Sequence, residues 1–203
     1  MKIICIGRNY SEHAKELGND VPTEPVFFMK PDSALLLNNR PFFIPDFSND
    51  VHHEVEIVVR INRLGKHIEE QFANRYYREI GLGIDFTARD IQKKCKEKGL
   101  PWEIAKAFDQ SAQLGNFIEV DKLPDRNAIN FELYKNGELI QKGNTRDMIF
   151  TIDQIIAYVS KFLTLKIGDL IYTGTPSGVG SVKIGDKLTG KIEGKEYFEF
   201  DIK

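Results

Sequence analysis

Short strand-like apolar runs dominate the chain. Ile3-Ile4-Cys5-Ile6 is continuous, as in a strand covered on both faces. Val26-Phe27-Phe28-Met29 is a second run, stopped by Lys30-Pro31. Phe42-Phe43-Ile44 is a third, between Pro41 and Pro45. Prolines so placed suit sheet edges and connections. From Val55 to Ile61 the odd positions share one apolar face, because successive strand side chains point opposite ways. Residues 80–86 read as a β segment whose Gly81 and Gly83 imply close backbone approach. Asn136-Gly137 between the runs 129–135 and 138–141 is a strong hairpin signal, and Glu193-Gly194 closes a last hairpin.

A few stretches carry a helical period instead. Ser11 caps a short helix over 12–17 that Gly18 ends. Phe72 and Tyr76 suggest a helix within 69–77. Thr87-Ala88-Arg89-Asp90 resembles a capping box opening a helix to Lys98, stopped by Gly99 and Pro101. Thr151-Ile152-Asp153-Gln154 is a capping box, followed by an amphipathic helix with Ile152, Ile155, Ile156, Val159, Phe162 and Leu163 facing inward. Lys166-Ile167-Gly168-Asp169 and Lys183-Ile184-Gly185-Asp186 spell one turn twice. No linker divides the chain. The expected fold is a single α+β domain over 1–203, built on a mixed, rolled sheet.

Composition narrows the function classes. With 203 residues, 41% hydrophobic, 29% charged and a net charge of −2, the chain offers no electrostatic case for nucleic acid or an anionic membrane. Cys5 and Cys95 lack CxxC partners, which argues against a disulfide framework or a zinc site. Met1 to Gly7 is too short and soon too polar for a signal peptide, and no run approaches the ~18 apolar residues of a membrane span. A cytoplasmic, reduced protein is expected.

The chemistry gathers at His52-His53-Glu54-Val55-Glu56. Glu54 and Glu56 share one strand face about 7 Å apart. Two readings fit: a hard divalent cation such as Mg²⁺ or Mn²⁺ held between them, or a solvated sheet face. Asp85 ends another apolar strand, an awkward place for a lone carboxylate. His13 and Glu16 lie at i, i+3 on one helix face, where a carboxylate can orient an imidazole or simply form a surface pair. Arg89 and Gln92 repeat that spacing close to Asp85. Lys106, among Ile104, Ala105, Ala107 and Phe108, reads as a snorkelling side chain or a site cation. The glycine-rich run 174–180 is not a phosphate loop, but its N–H groups could hold a carboxylate.

Taken in order, these residues resemble the fumarylacetoacetate hydrolase superfamily, most of all its small acylpyruvase and oxaloacetate decarboxylase members. The resemblance rests on Gly7-Arg8-Asn9-Tyr10 with His13, Phe28-Met29-Lys30-Pro31, His52 to Glu56, Asp85 to Asp90 with Gln92, Gly99-Leu100-Pro101-Trp102 with Lys106, and Gly168-Asp169 with Thr173-Gly174-Thr175-Pro176. It implies a mixed β-roll with a few short helices, generally a homodimer. It implies Glu54, Glu56 and Asp85 as ligands of Mg²⁺ or Mn²⁺, with no metal bond from His52 or His53. It also implies His13 and Glu16 as a catalytic dyad, Lys106 as the active-site lysine, and Arg89, Gln92, Thr175 and, more weakly, Arg8 as substrate contacts.

The expected substrate is a small 2-oxo acid, cleaved at an acylpyruvate C–C bond or decarboxylated as oxaloacetate through a metal-stabilised pyruvate enolate. In hydrolysis His13 would take a proton from the attacking water, and Lys106 would stabilise the oxyanion. The alternatives are a 2-hydroxyhepta-2,4-diene-1,7-dioate isomerase or decarboxylase on the same scaffold, and a non-catalytic metal-binding protein.

Overall fold

The computed structural model describes residues 1–12 and 21–203. Its main sheet has seven strands, in spatial order β2 (Val26–Lys30), β1 (Ile3–Gly7), β11 (Leu170–Tyr172), β5 (Val55–Ile61), β6 (Tyr77–Asp85), β8 (Ala112–Glu119) and β3 (Leu35–Leu36). The pairs β1–β11 and β3–β8 are parallel and the others antiparallel, so the sheet is mixed. A second sheet joins β10 (Glu138–Asn144), β9 (Asn130–Lys135), β13 (Lys187–Ile192) and β14 (Lys195–Asp201). A small third one joins β12 (Gly180–Ser181), β4 (Val51–His53) and β7 (Thr87–Ala88). The α-helices among the described residues are α1 (Glu70–Ala73), α2 (Arg89–Lys98), α3 (Glu103–Lys106) and α4 (Ile152–Phe162).

The main sheet is apolar on both faces. Val55, Ile57, Val59 and Ile61 of β5 join Ile80, Leu82 and Ile84 of β6 in a large core. Phe131, Leu133 and Phe198 of the second sheet and Ile155, Ile156 and Val159 of α4 complete it. On the opposite face Val58 packs with Ile3, Cys5, Ala112, Leu114, Leu170 and Tyr172. Glu56 shares that second face by strand alternation. The solvated-face reading of Glu54 and Glu56 therefore fails, since both are buried.

The two hairpins form as expected, with positive φ at Asn136 and Gly137 and at Glu193 and Gly194. The capping box of α4 is present on both sides, from Thr151 and Gln154. The repeated turn is real: the Asp169 carboxylate accepts from Lys166 N at 2.7 Å, and that of Asp186 from Lys183 N at 2.8 Å.

Other expectations need correction. Residues 42–44 form no named strand: they lie alongside 201–203 through one parallel bridge, Phe42 to Ile202, with Phe42 N donating to Asp201 O at 2.9 Å and Ile44 N to Lys203 O at 2.8 Å. Phe42 instead stacks on Phe86 with ring centroids 3.8 Å apart. The helix within 69–77 is only four residues long, since Tyr77 starts β6. Thr87 belongs to β7, and the α2 N-cap, Ala88, has no side-chain cap. The helix expected over 12–17 falls, past Glu12, outside the described residues.

Gly83 shows why β6 needs glycine. A Cβ there would lie 2.4 Å from Gln113 O and 2.9 Å from the Tyr172 ring. The ring is pinned, because Tyr172 OH donates to the same Gln113 carbonyl at 2.8 Å. Gly83→Ala should therefore destabilise the protein by about 3 kcal/mol in urea unfolding, the upper range for overpacking. An unchanged midpoint would mean the ring and strand move apart freely.

Candidate active site

The β5–β6 register builds the centre of the site. Val55 pairs with Ile84 and Glu56 with Gly83, and Asp85 N donates to Glu54 O at 2.9 Å. The head of β5 thus meets the end of β6. Glu54, Glu56 and Asp85 each place a carboxylate oxygen within 4.8 Å of the others. They are only 5%, 1% and 1% exposed. Glu56 accepts from Gly174 N at 2.7 Å, so the glycine-rich loop does hold a carboxylate, the protein's own. Burial, then the charges of Asp85 and Glu54, push the Glu56 carboxyl well above the usual carboxylate range.

Three cations answer these acids. Lys106 Nζ, at the end of α3, lies 2.9 Å from Glu54 Oε2, 2.7 Å from Asp85 Oδ2 and 2.5 Å from Thr87 Oγ1. It is buried, so it is a site cation and does not snorkel. Burial by itself would lower its pKa, but Asp85 and Glu54 more than offset that and hold it above its ordinary value. Arg89, opening α2, pairs with Glu54 and donates to Gln92 Oε1 at 2.7 Å. The third cation is Lys30, which sequence reasoning did not single out. Its Nζ sits 2.7 Å from Asp85 Oδ1 and also meets the carbonyls of Phe86, Lys106 and Ser111. It stands in the Phe28-Met29-Lys30-Pro31 motif, ending the apolar strand β2, but without a role assigned to it. Among the described residues, Glu56 has no ion-pair partner.

Further polar links join the second sheet and the N-terminal turn to the site. Gln141 of β10 donates to Thr175 Oγ1 at 2.9 Å and to Pro176 O at 3.0 Å. Its Oε1 meets His53 Nδ1 at 2.9 Å. This glutamine was also missed, because nothing local marks a hairpin residue as part of a remote site. Burial pushes His53 down to about 4, so its ring is neutral at ordinary pH. His52 pairs with Asp50, and neither histidine joins the carboxylate cluster. Asn9 is fully buried and donates to Thr173 O at 2.8 Å and Phe150 O at 3.0 Å, which anchors the Gly7-Arg8-Asn9-Tyr10 turn beside the 173–176 loop.

A small cavity of about 40 Å³ opens over the carboxylates. Arg8, Arg89, Gln92, Lys106 and Thr175 line it with the three acids, so these eight predicted residues come together. Lys96 and Trp102 line it too and were not predicted as site residues. His13 and Glu16 lie outside the described residues. The donor set is all oxygen and includes one carboxylate without a cation, which suits a hard divalent ion such as Mg²⁺ or Mn²⁺. No helix among the described residues is long and apolar enough to cross a membrane.

A mixed, double-faced sheet that gathers three buried carboxylates under a cation-lined cavity defines a class of protein that can hold a hard metal ion beside an anionic guest. Within that class, the chain belongs to the fumarylacetoacetate hydrolase family: the family model described as fumarylacetoacetate (FAA) hydrolase C-terminal matches residues 2–202. The chain is similar to the mouse protein named oxaloacetate tautomerase FAHD1, mitochondrial. Identity is 45% over 201 residues, covering 99% of this chain and 91% of the relative. It is equally similar to the oxaloacetate decarboxylase, mitochondrial, of Dictyostelium discoideum, at 45% over 203 residues, covering 99% and 93%. Among solved structures it resembles fumarylpyruvate hydrolase from Pseudomonas aeruginosa in complex with Mn²⁺ and pyruvate. The TM-score is 0.94 at 33% identity, with 100% and 89% of the two chains covered.

Metal binding and Glu56 are testable together. Calorimetry should show Mn²⁺ binding that Glu56→Gln weakens at least about tenfold. The metal-free melting temperature should not fall, because the amide still accepts from Gly174. A raised Glu56 pKa means a proton competes with the ion, so wild-type affinity should climb as pH rises and that competition fades. A pH-independent affinity would place the ion elsewhere.

Proposed function

We propose that this chain is a metal-dependent enzyme acting on small 2-oxo acids, hydrolysing acylpyruvates and decarboxylating oxaloacetate through the enolate both reactions share. The observation that carries the reading is the buried Glu54, Glu56 and Asp85 cluster under a cavity walled by Arg89, Gln92, Lys106 and Thr175. The relatives' names, an oxaloacetate tautomerase, an oxaloacetate decarboxylase and a fumarylpyruvate hydrolase, support one chemical step used three ways. These enzyme names favour catalysis over a non-catalytic metal-binding protein. The chain would act as one catalytic unit over 1–203, in the cytoplasm and as a homodimer.

In this reading Glu54, Glu56 and Asp85 hold Mg²⁺ or Mn²⁺, and the Mn²⁺ in the Pseudomonas relative supports that choice of ion. When bound, the ion supplies Lewis acidity to the 2-oxo group. Every other role belongs to the chain. Arg89, Gln92 and Thr175 orient the substrate's carboxylate end. Lys106 presents a fixed positive charge to the oxygen that becomes negative. His13, kept basic by Glu16, removes a proton from the water that attacks C4 of an acylpyruvate, or from C3 when oxaloacetate only changes tautomer. Decarboxylation needs neither water nor this base, because CO₂ leaves with the bond.

That difference generates the test. Pyruvate release from acetylpyruvate and from oxaloacetate is followed with Mg²⁺, with Mn²⁺ and after chelation. His13→Ala should slow acetylpyruvate hydrolysis about 100-fold or more and oxaloacetate decarboxylation by less than about tenfold. Equal losses would sink the division of labour, and full activity after chelation would remove the metal from the scheme.

A further inference from the structure

Arg8 and Lys96 line the cavity, yet neither belongs to the ion-pair network around the carboxylates. Among the described residues, neither forms an ion pair. Arg89, Gln92 and Lys96 fall at i, i+3 and i+7 on α2, so one helix stripe faces the cavity. Arg89 and Gln92 engage each other near Glu54. Lys96 originates about 10 Å further along the axis, and helical side chains lean back toward the N-terminus. Its ammonium lies 5.4 Å from the Trp102 ring centroid, in the same wall.

Arg8 reaches the cavity from β1's end of the sheet. Its φ is +61, a conformation that side chains other than glycine rarely adopt. Asn9, buried and hydrogen-bonded to Thr173 and Phe150, holds the turn in place. Such strain persists only where the surroundings over-determine it, and it clusters at ligand sites. Partial desolvation and then the charges of Arg89 and Arg8 lower the Lys96 pKa against the opposing pull of Glu54, which puts two further cations within electrostatic reach of it. The walls carry Arg8, Arg89, Lys96 and Lys106 against Glu54, Glu56 and Asp85. A bound divalent ion widens that excess, and an anionic guest relieves it.

We infer that Lys96 and Arg8 form an anion subsite for the second carboxylate of a dicarboxylic 2-oxo acid, and that this subsite sets a preference for diacids over 2-oxo acids with a neutral far end. The inference rests on the 2-oxo acid reading of the site. The carboxylates, Lys106 and Arg89 hold the 2-oxo acid end, while Lys96 and Arg8 receive the far carboxylate, the group that oxaloacetate loses as CO₂ and that a tautomerising or longer diacid keeps. Lys96 is solvent-exposed at the cavity mouth, so its substitution leaves the core intact.

The test compares Lys96→Gln with wild type on two substrates. For oxaloacetate, KM should rise about tenfold or more without a fall in kcat, because the charged hydrogen bond is made to the bound substrate's carboxylate and fades as that group becomes CO₂. For acetylpyruvate, whose far end is a methyl ketone, KM should change by less than about twofold. Lys96→Arg should restore most of the oxaloacetate value. Equal losses on both substrates would overturn the subsite. A second readout needs no turnover: the Mn²⁺-loaded protein is titrated with malate and with lactate, the reduced counterparts of a diacid and a monoacid. Wild type should favour malate at least about tenfold, and Lys96→Gln should erase that preference. Equal wild-type affinities, or a preference that survives the substitution, would overturn the proposal. Failure of the 2-oxo acid reading would look different: neither substrate turned over, with the malate preference and its loss in Lys96→Gln intact.

Discussion

Three carboxylates enclosed at the end of a two-faced sheet set the terms for the residues around them. With oxygens within 4.8 Å, each pair repels by on the order of 3 kcal/mol even at an effective dielectric near 20. Desolvation adds to that cost. The chain answers with Lys106 between Glu54 and Asp85, Lys30 behind Asp85 and Arg89 on Glu54. Each cation comes from a different part of the sequence, at the end of β2, the start of α2 and the end of α3. The cluster therefore ties together segments that no continuous hydrophobic run connects. Lys30 goes furthest, since it also meets the carbonyls of Phe86, Lys106 and Ser111. A buried ion network of this kind is weak evidence for stability, because well-packed apolar residues could replace it. Its presence is better explained by what the carboxylates do.

Glu56 carries that argument. Glu54 and Asp85 have lysine or arginine partners, whereas Glu56 has a backbone N–H from Gly174 and no ion pair among the described residues. Burial and like charge push its carboxyl up, a cost that a hard cation held by the three acids would remove. The same glycine fixes the loop: Gly174 has φ +99, and a Cβ there would lie 2.7 Å from that of Asn9. Asn9 binds Thr173, and Gln141 binds Thr175. The loop is thus gripped from both sides, and this grip places Thr175 in the cavity wall.

Local rules make much of the fold legible in the amino-acid sequence. Asn136-Gly137, the Thr151 capping box, the Gly99 stop and the repeated Asp169 and Asp186 turns are short-range chemistry, and they appear as read. The misreadings share one cause. Residues 42–44, 69–77 and Thr87 were read from local propensity, and tertiary contacts decided them otherwise. The site divides the same way. Glu54 and Glu56 were legible because two acids heading an apolar strand are costly, and Asp85 because it ends another. Resemblance to a family marked Lys106, Arg89, Gln92, Thr175 and Arg8. Lys30, Gln141 and Lys96 stayed hidden because their meaning depends on partners dozens of residues away. Lys96 in particular sits in a basic run that looks like an ordinary solvated helix face, and only the fold shows that α2 turns that stripe toward the cavity.

The charged residues of the cavity separate into two sets with different obligations. Lys106, Lys30 and Arg89 are committed to carboxylates whether or not a substrate is present, so they are pre-organised and cost nothing to reorient when charge develops nearby. Arg8 and Lys96 have no such commitment, and they stand where a guest would enter. The fixed set suits the end of the substrate at which charge moves, because a field that need not rearrange is worth most there. The uncommitted set suits the substrate's far carboxylate, which has to be recognised on entry and released afterwards. A single enolate-forming centre can then serve several reactions, with specificity resting on residues that neither hold the carboxylate cluster nor stabilise the enolate. Evolution of substrate preference in such a protein need not touch the carboxylates at all, since one exposed lysine on α2 can be exchanged without disturbing the buried charges beneath it.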